Sequence, residues 1–234
     1  MAIGFRSETE GETLTPGATV TLTLPSGVVT GDVLVAILGS SKDGVGGTCG
    51  WTAPVGWTRI GANVVQDNAF GRSAIDVFWA LGNVASLTFT KSGTVGYFGY
   101  VCVAYTGVDN TTANDAAGTG NGNTGATSLT TNEVTVVTNQ AWHIIGVATW
   151  NSGTFSATGF TVEQTPGSTA QCAGQLYNTT PKEVGSTGTV SVSSTASGTN
   201  QIFVAQPFAL RPAITSIMMG GDEGGVFYQL SRRW

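Results

Sequence analysis

The chain has 234 residues, 10% of them charged, and a net charge of −5. That length suffices for one large β-domain or two small ones. The mild acidic excess excludes a basic patch for nucleic acid, and no apolar run is long enough to span a bilayer. The opening Met1-Ala2-Ile3-Gly4-Phe5-Arg6-Ser7-Glu8 has no apolar signal core, so synthesis in a cytoplasm without a cleaved address is expected.

Glycine, serine and threonine are abundant, and short Val/Ile/Thr/Phe runs alternate with Gly, Asn and Ser. This pattern predicts an all-β fold, a jelly-roll-like antiparallel β-sandwich. Residues 1–18 are expected to form a polar N-terminal segment ending in the turn signal Pro16-Gly17. Residues 19–24 alternate Thr with Val or Leu, which predicts a strand with one buried face. Val33-Leu34-Val35-Ala36-Ile37-Leu38 is continuously apolar, as in a strand covered on both faces. A glycine-rich loop over 40–55, holding Cys49 and Trp51, precedes strands expected at 56–60, 74–80, 87–90 and 97–105.

The same order returns about a hundred residues later. Residues 128–137 parallel 19–24, 141–148 parallel 33–38, and 159–163 parallel 56–60. Further on, 173–177 parallel 75–79, 188–192 parallel 85–89, and 200–209 parallel 97–105. The sandwich is therefore expected over 19–212, built from sequence-similar halves at 19–109 and 128–212. The Gly/Asn/Thr-rich stretch 109–127 is expected as a surface loop between them. Two arrangements fit: two separate small sandwiches, or one sandwich with the strands of both halves interleaved. The second is preferred because each half has only six short strands and sheet faces need cover.

Candidates for chemistry are few. His143, between Trp142 and Ile144, is expected as a satisfied or partly exposed strand residue, with no second histidine for a zinc site. No GxSxG elbow is present. Cys49, Cys102 and Cys172 form no CxxC pair; Cys102 is expected as a small buried residue, and a disulfide from Cys49 is disfavoured by a cytoplasmic origin. Most acids stand at strand ends or in loops, Asp32 as a turn residue. Asp109 and Asp115 with Asn110 and Asn114 do not match an EF-hand spacing. No catalytic, cofactor-binding or metal-binding residue is assigned. Trp57 and Trp79 have repeat equivalents in Phe160 and Tyr177 and are expected in the core, whereas Trp51 and Trp150 fall in expected loops as surface or ligand contacts. Residues 213–234 lie outside the repeat. Their second apolar stretch, Val226-Phe227-Tyr228-Gln229-Leu230, and the ending Ser231-Arg232-Arg233-Trp234 predict an assembly arm. Its expected contacts are Phe227, Tyr228, Leu230, Arg232, Arg233 and Trp234.

The succession Gly31-Asp32-Val33-Leu34-Val35-Ala36, Pro54-Val55-Gly56-Trp57-Thr58, Asp76-Val77-Phe78-Trp79, Leu87-Thr88-Phe89-Thr90, Ala104-Tyr105-Thr106-Gly107-Val108-Asp109 and Ala209-Leu210-Arg211-Pro212 resembles a known β-sandwich domain. That domain occurs in accessory structural proteins of tailed bacteriophages, and the resemblance covers about residues 19–212. It implies a virion protein without catalysis or cofactor, foremost a capsid decoration or head-associated protein. Its partners would be other capsid or tail subunits in a homo-oligomer or lattice, with assembly in the host cytoplasm and no contact with nucleic acid or membrane. A second expectation is a tail or fibre adhesin holding host glycans through Trp51 and Trp150. A third is a glycoside-processing enzyme, which needs two facing carboxylates in a cleft.

Overall fold

Strands of the first half form two sheets that share one chain direction reversal after another. The structure is a computed structural model that describes residues 1–13, 18–43, 49–93, 96–151, 153–164, 172–196 and 201–214. The first half contains β1 (Gly4–Thr13), β2 (Thr19–Thr21), β3 (Val33–Asp43), β4 (Gly50–Thr52), β5 (Trp57–Asp67), β6 (Gly71–Leu81), β7 (Thr88–Ser92) and β8 (Tyr97–Thr106). A long sheet runs in the order β1-β8-β3-β6-β5, and a small one in the order β2-β7-β4. This is the jelly-roll order, with β5 carried on the edge of the long sheet.

The second half contains β9 (Asn114–Ala117), β10 (Asn121–Thr124), β11 (Ser128–Thr130), β12 (Thr135–Val136), β13 (Trp142–Thr149), β14 (Phe155–Ser156), β15 (Thr161–Gln164), β16 (Cys172–Tyr177), β17 (Gly185–Ser186), β18 (Ser191–Ser194) and β19 (Ile202–Leu210). Its long sheet runs β10-β19-β13-β16-β15, with β9 also pairing β19. Its small sheet runs β11-β18-β14, and β12 pairs β17. With β9 and β10 in the place of β1, the strand order is that of the first half.

The all-β sandwich is thus present, but the halves do not interleave: each sheet draws its strands from one half. Each half is a two-layer sandwich, and the two meet through their long sheets. The reason lies in the alternation of side chains along β3, β6 and β8. Leu34, Ala36 and Leu38, with Phe78, Ala80, Tyr100, Cys102 and Ala104, pack outward against Val20, Leu22, Trp51 and Phe89 of the small sheet. Val33, Val35, Ile37, Ile75, Val77, Val101, Val103 and Tyr105 face the other way, onto Trp142, Ile144, Ala148, Tyr177, Val204, Phe208 and Leu210 of the second half. There, Ile145, Val147, Leu176, Phe203 and Ala205 face their own small sheet. The result is four layers, and β3 is buried from Val33 to Ser41, as its unbroken apolar run predicts.

The long sheets face each other reciprocally. β19 lies over β6 and β5, while β16 lies over β8. Because β19 occupies the place of β8, and β16 that of β6, the halves meet like the two subunits of a two-fold dimer. The sheets approach closely at Gly146, where an added Cβ would sit 3.1 Å from Val77 Cγ2, 3.2 Å from Ile75 Cδ1 and 3.4 Å from Ile37 Cδ1.

Three elements depart from expectation. The polar N-terminal segment holds β1, paired along β8 from Gly4↔Thr106 to Thr13↔Phe98. The glycine-rich loop holds β4, paired with β7. The expected surface loop between the halves supplies β9 and β10, which extend the second long sheet. Propensity is low in all three, and pairing with a neighbouring strand overrides it.

Gly146→Val is expected to overpack the shared core and cost about 1–3 kcal/mol, read by guanidinium denaturation. Val55→Ser, on a turn where Val55 is 94% exposed, is the control and should stay within about 0.5 kcal/mol of the parent.

Candidate functional site

Among the described residues, acidic side chains gather where β1 faces β15, on one seam between the long sheets. Glu8, Glu10 and Glu12 pair with Val103, Val101 and Gly99, so their side chains share the core-facing side of an edge strand. Glu163 of β15 comes toward them from the other half. Burial holds the Glu8 carboxyl above the usual range. Burial raises Glu10 first, followed by repulsion from Glu8, Glu163 and Glu12. Glu163 is raised by burial and then by Glu8, while the Tyr177 hydroxyl donates to it at 3.4 Å and pulls the other way. Tyr177 in turn stacks between Phe5 and Trp142, at centroid distances of 5.7 and 5.8 Å. The aromatic stack closes the seam beside the acids. No group of three or more ligating side chains among the described residues is spaced to hold a metal ion.

The opposite seam is neutral. A groove of about 570 Å³ runs between residues 61–66 of β5 and residues 117–122 of β9 and β10. Gly120 abuts Val64 so closely that a Cβ there would overlap Val64 Cγ2. Beneath this contact Gln206 is buried; its amide nitrogen donates to Gly118 O at 2.7 Å and Pro207 O at 3.0 Å. Among the described residues, no charged one lines the groove.

The arginines Arg6, Arg59, Arg72 and Arg211 each pair with an aspartate, respectively Asp32, Asp76, Asp67 and Asp115. Asp76 lies on the small-sheet side of β6, where Trp51 N donates to it at 2.8 Å and Asn63 Nδ2 at 3.0 Å. A smaller cavity of about 240 Å³ opens beside this cluster.

The residues singled out from sequence are scattered. Trp51 is not a surface residue: it is 1% exposed and sits edge-on to Phe98 at 5.3 Å, because β4 turns it into the outer core. Trp150 is half-buried at the end of β13 and bonds Ile202 O through its backbone nitrogen. The two tryptophans therefore do not make a joint platform. Trp57 and Tyr177 are buried, and Trp79 packs partly buried against the shared core. Asp109 caps a turn through Thr111 and Thr112, whereas Asp115 accepts from Val137 N and Thr138 N and pairs Arg211. Asp32 accepts from Val29 N at 2.8 Å, closing its turn. Cys49 is buried with Ser40 Oγ 3.2 Å from its sulfur, and burial pushes the Cys102 thiol up to about 12. Phe227, Tyr228, Leu230, Arg232, Arg233 and Trp234 lie outside the described residues.

His143 is neither satisfied nor exposed. It is 1% exposed, its Nε2 has no hydrogen-bond partner among the described residues, and Phe160 stands edge-on at 5.5 Å. Burial, followed by Lys182, lowers its imidazole to about 4. The acidic seam itself was missed at the sequence level. Its one signal is the alternation Glu8-Thr9-Glu10-Gly11-Glu12, legible only once that stretch is taken as a strand. A scan against family models and searches of curated proteins and of solved structures find no match to this chain.

Two opposed pH effects follow. The folded-state His143 value lies below its unfolded value of about 6.5, so its contribution is lost as pH falls from 6.5 toward 4, by up to about 3 kcal/mol. His143→Gln should flatten that loss in denaturation series at pH 4.5, 5.5 and 7. The folded values of Glu8, Glu10 and Glu163 are raised, so their contribution is present at low pH and lost as pH rises through those values. Glu10→Gln should accordingly raise the unfolding midpoint at pH 7, and an unchanged or lower midpoint would count against repulsion across the seam.

Proposed function

We propose that this protein is a non-enzymatic structural component of a tailed-phage particle, most simply a capsid decoration or other head-associated protein. The sequence resemblance leads to this reading, and a jelly-roll body is compatible with it by fold-level analogy alone. One observation carries it further: the stretch leading into residues 215–234 is fastened to the body at a single pole. Val108 bridges Pro212, Asp109 N donates to Arg211 O, and Ala213 N donates to Gly107 O. The Met1 amino group donates to Ala213 O at 2.9 Å. Immediately beyond, Ile214 is 80% exposed. A terminal stretch rich in apolar residues thus leaves from a fixed, rigid base, which suits an anchor to a neighbouring subunit.

The distribution of polar groups supports the non-catalytic part. The histidine is sealed in a sheet, and the arginines Arg6, Arg59, Arg72 and Arg211 are engaged by aspartates of the same chain. The burial of Trp51 removes one of the two contacts on which the glycan-binding expectation rested.

Deleting residues 215–234 leaves every one of these pole contacts in place. In an assembly reaction with particles lacking this protein, the deletion should cut incorporation at least about tenfold while the unfolding midpoint stays unchanged. Incorporation equal to that of the full chain would remove the anchor and with it the main support for this function.

A further inference from the structure

The second half places a titratable ring where the first half has a leucine. Trp79 pairs with Val35, and its repeat equivalent Tyr177 pairs with Ile144. Leu34 and His143 each stand one residue earlier, so they hold the same place in their halves. Both turn away from the shared core. Leu34 is fully buried in the outer core of the first half, together with Trp57. His143 is buried too, and Phe160, the equivalent of Trp57, stands edge-on to it. An apolar pair in one half is thus an imidazole and a phenyl ring in the other. Nε2 of His143 has no hydrogen-bond partner among the described residues, so a positive charge on the ring would meet nothing at that nitrogen to offset it.

The layer beside this ring is slight. Ala209, the cross-strand partner of His143, and Ala141 on the same face pack with Val134 and Val136. β12 and β17 hold only two paired positions, Thr135↔Ser186 and Val136↔Gly185. Asn178 N donates to His143 O at 3.0 Å, Lys182 N to Ala141 O at 2.8 Å and Thr187 N to Val134 O at 2.9 Å. The charged groups on the surrounding elements are Asp115 on β9, Arg211 after β19, Glu133 before β12, Glu163 on β15, and Lys182 and Glu183 before β17. Asp115 pairs with Arg211, while Glu133 accepts from Ser186, Glu183 from Gln140 and Glu163 from Tyr177. Lys182 acts on the ring itself, and its like charge opposes protonation.

We propose that protonation of His143 releases this outer cover, residues 178–187 with β12, from the second half while the first half stays closed. The ring takes its second proton readily only where water reaches it, so acid favours the open form. Burial holds the closed-state value at about 4 against about 6.5 in the open, and the closed form loses its advantage as pH falls from 6.5 toward 4. Opening bares Val134, Val136, Ala141 and Ala209. Leu34 cannot respond in this way, so the two halves part company in acid.

Amide exchange of the ¹⁵N-labelled full chain, followed by NMR at pH 7, 5.5 and 4.5 and corrected for intrinsic rates, tests this. Protection of the Asn178, Lys182 and Thr187 amides should fall about tenfold or more between pH 7 and 4.5, in step with protonation of the His143 ring. The Leu22 amide, bonded to Leu87 O in the first half, should change less than about threefold. His143→Leu, which copies the first half, should abolish the fall, whereas Glu133→Gln and Glu183→Gln should leave it in place. Equal loss at Leu22, a fall that persists in His143→Leu, or a ring that protonates while all three amides stay protected would overturn the proposal. The ring titration is read on the unsubstituted chain, so it decides the matter even if His143→Leu fails to fold.

Discussion

The structure depends on one shortage of cover. Each long sheet is apolar on both faces, and its own three-stranded sheet can hide only one of them. The second face must meet an apolar surface of matching area, and the other half of the chain provides it. Ile37, Ile75 and Val77 close over Gly146 on one side, while Phe5 and Tyr105 close with Trp142 and Tyr177 on the other. Taking the halves apart would bare both inner faces together, so neither jelly roll keeps its core covered without the other.

Charge is arranged around that demand. The aspartates that enter the body do so with an arginine or with backbone donors, as Asp76 does with Arg59, Trp51 N and Asn63. This is the condition under which a buried carboxylate is tolerated. The glutamates follow a different logic. Glu8, Glu10 and Glu163 sit where an edge strand reaches the inner face, half in water, and they repel one another across the seam. His143 is a third case, a polar ring held neutral in an apolar layer. Each costs stability under some condition, and the shared core is large enough to carry them.

How much of this was legible beforehand follows from the range of the interactions. The run 33–38 declares a strand covered twice, and Leu87-Thr88-Phe89-Thr90 declares one covered once, because alternation is local to a few residues. Phe160 and Tyr177 mark their partners Trp57 and Trp79 because repeated strands keep large rings at like positions. What was not legible is set by partners far away in sequence. β1 is polar and becomes a strand because β8 lies beside it. Trp51 is taken out of solvent by Phe98 and Asp76, neither of which is close in the chain. The acidic seam joins residues 8 and 163, a relation that exists only after the halves have stacked. Interleaving is unnecessary for a related reason: each small sheet covers one face of its long sheet, and the opposite half covers the other.

The reciprocal stacking has a consequence that a true pair of identical subunits would lack. In such a pair the junction of β1 with β15 and that of β10 with β5 would be copies of each other, with the same chemistry twice. Carried on one polypeptide, the two borders have grown apart: one holds carboxylates beside stacked rings, and the other is a bare, uncharged channel. Breaking that equivalence leaves the body with two flanks of different chemistry, so a surface that fits one does not fit the other.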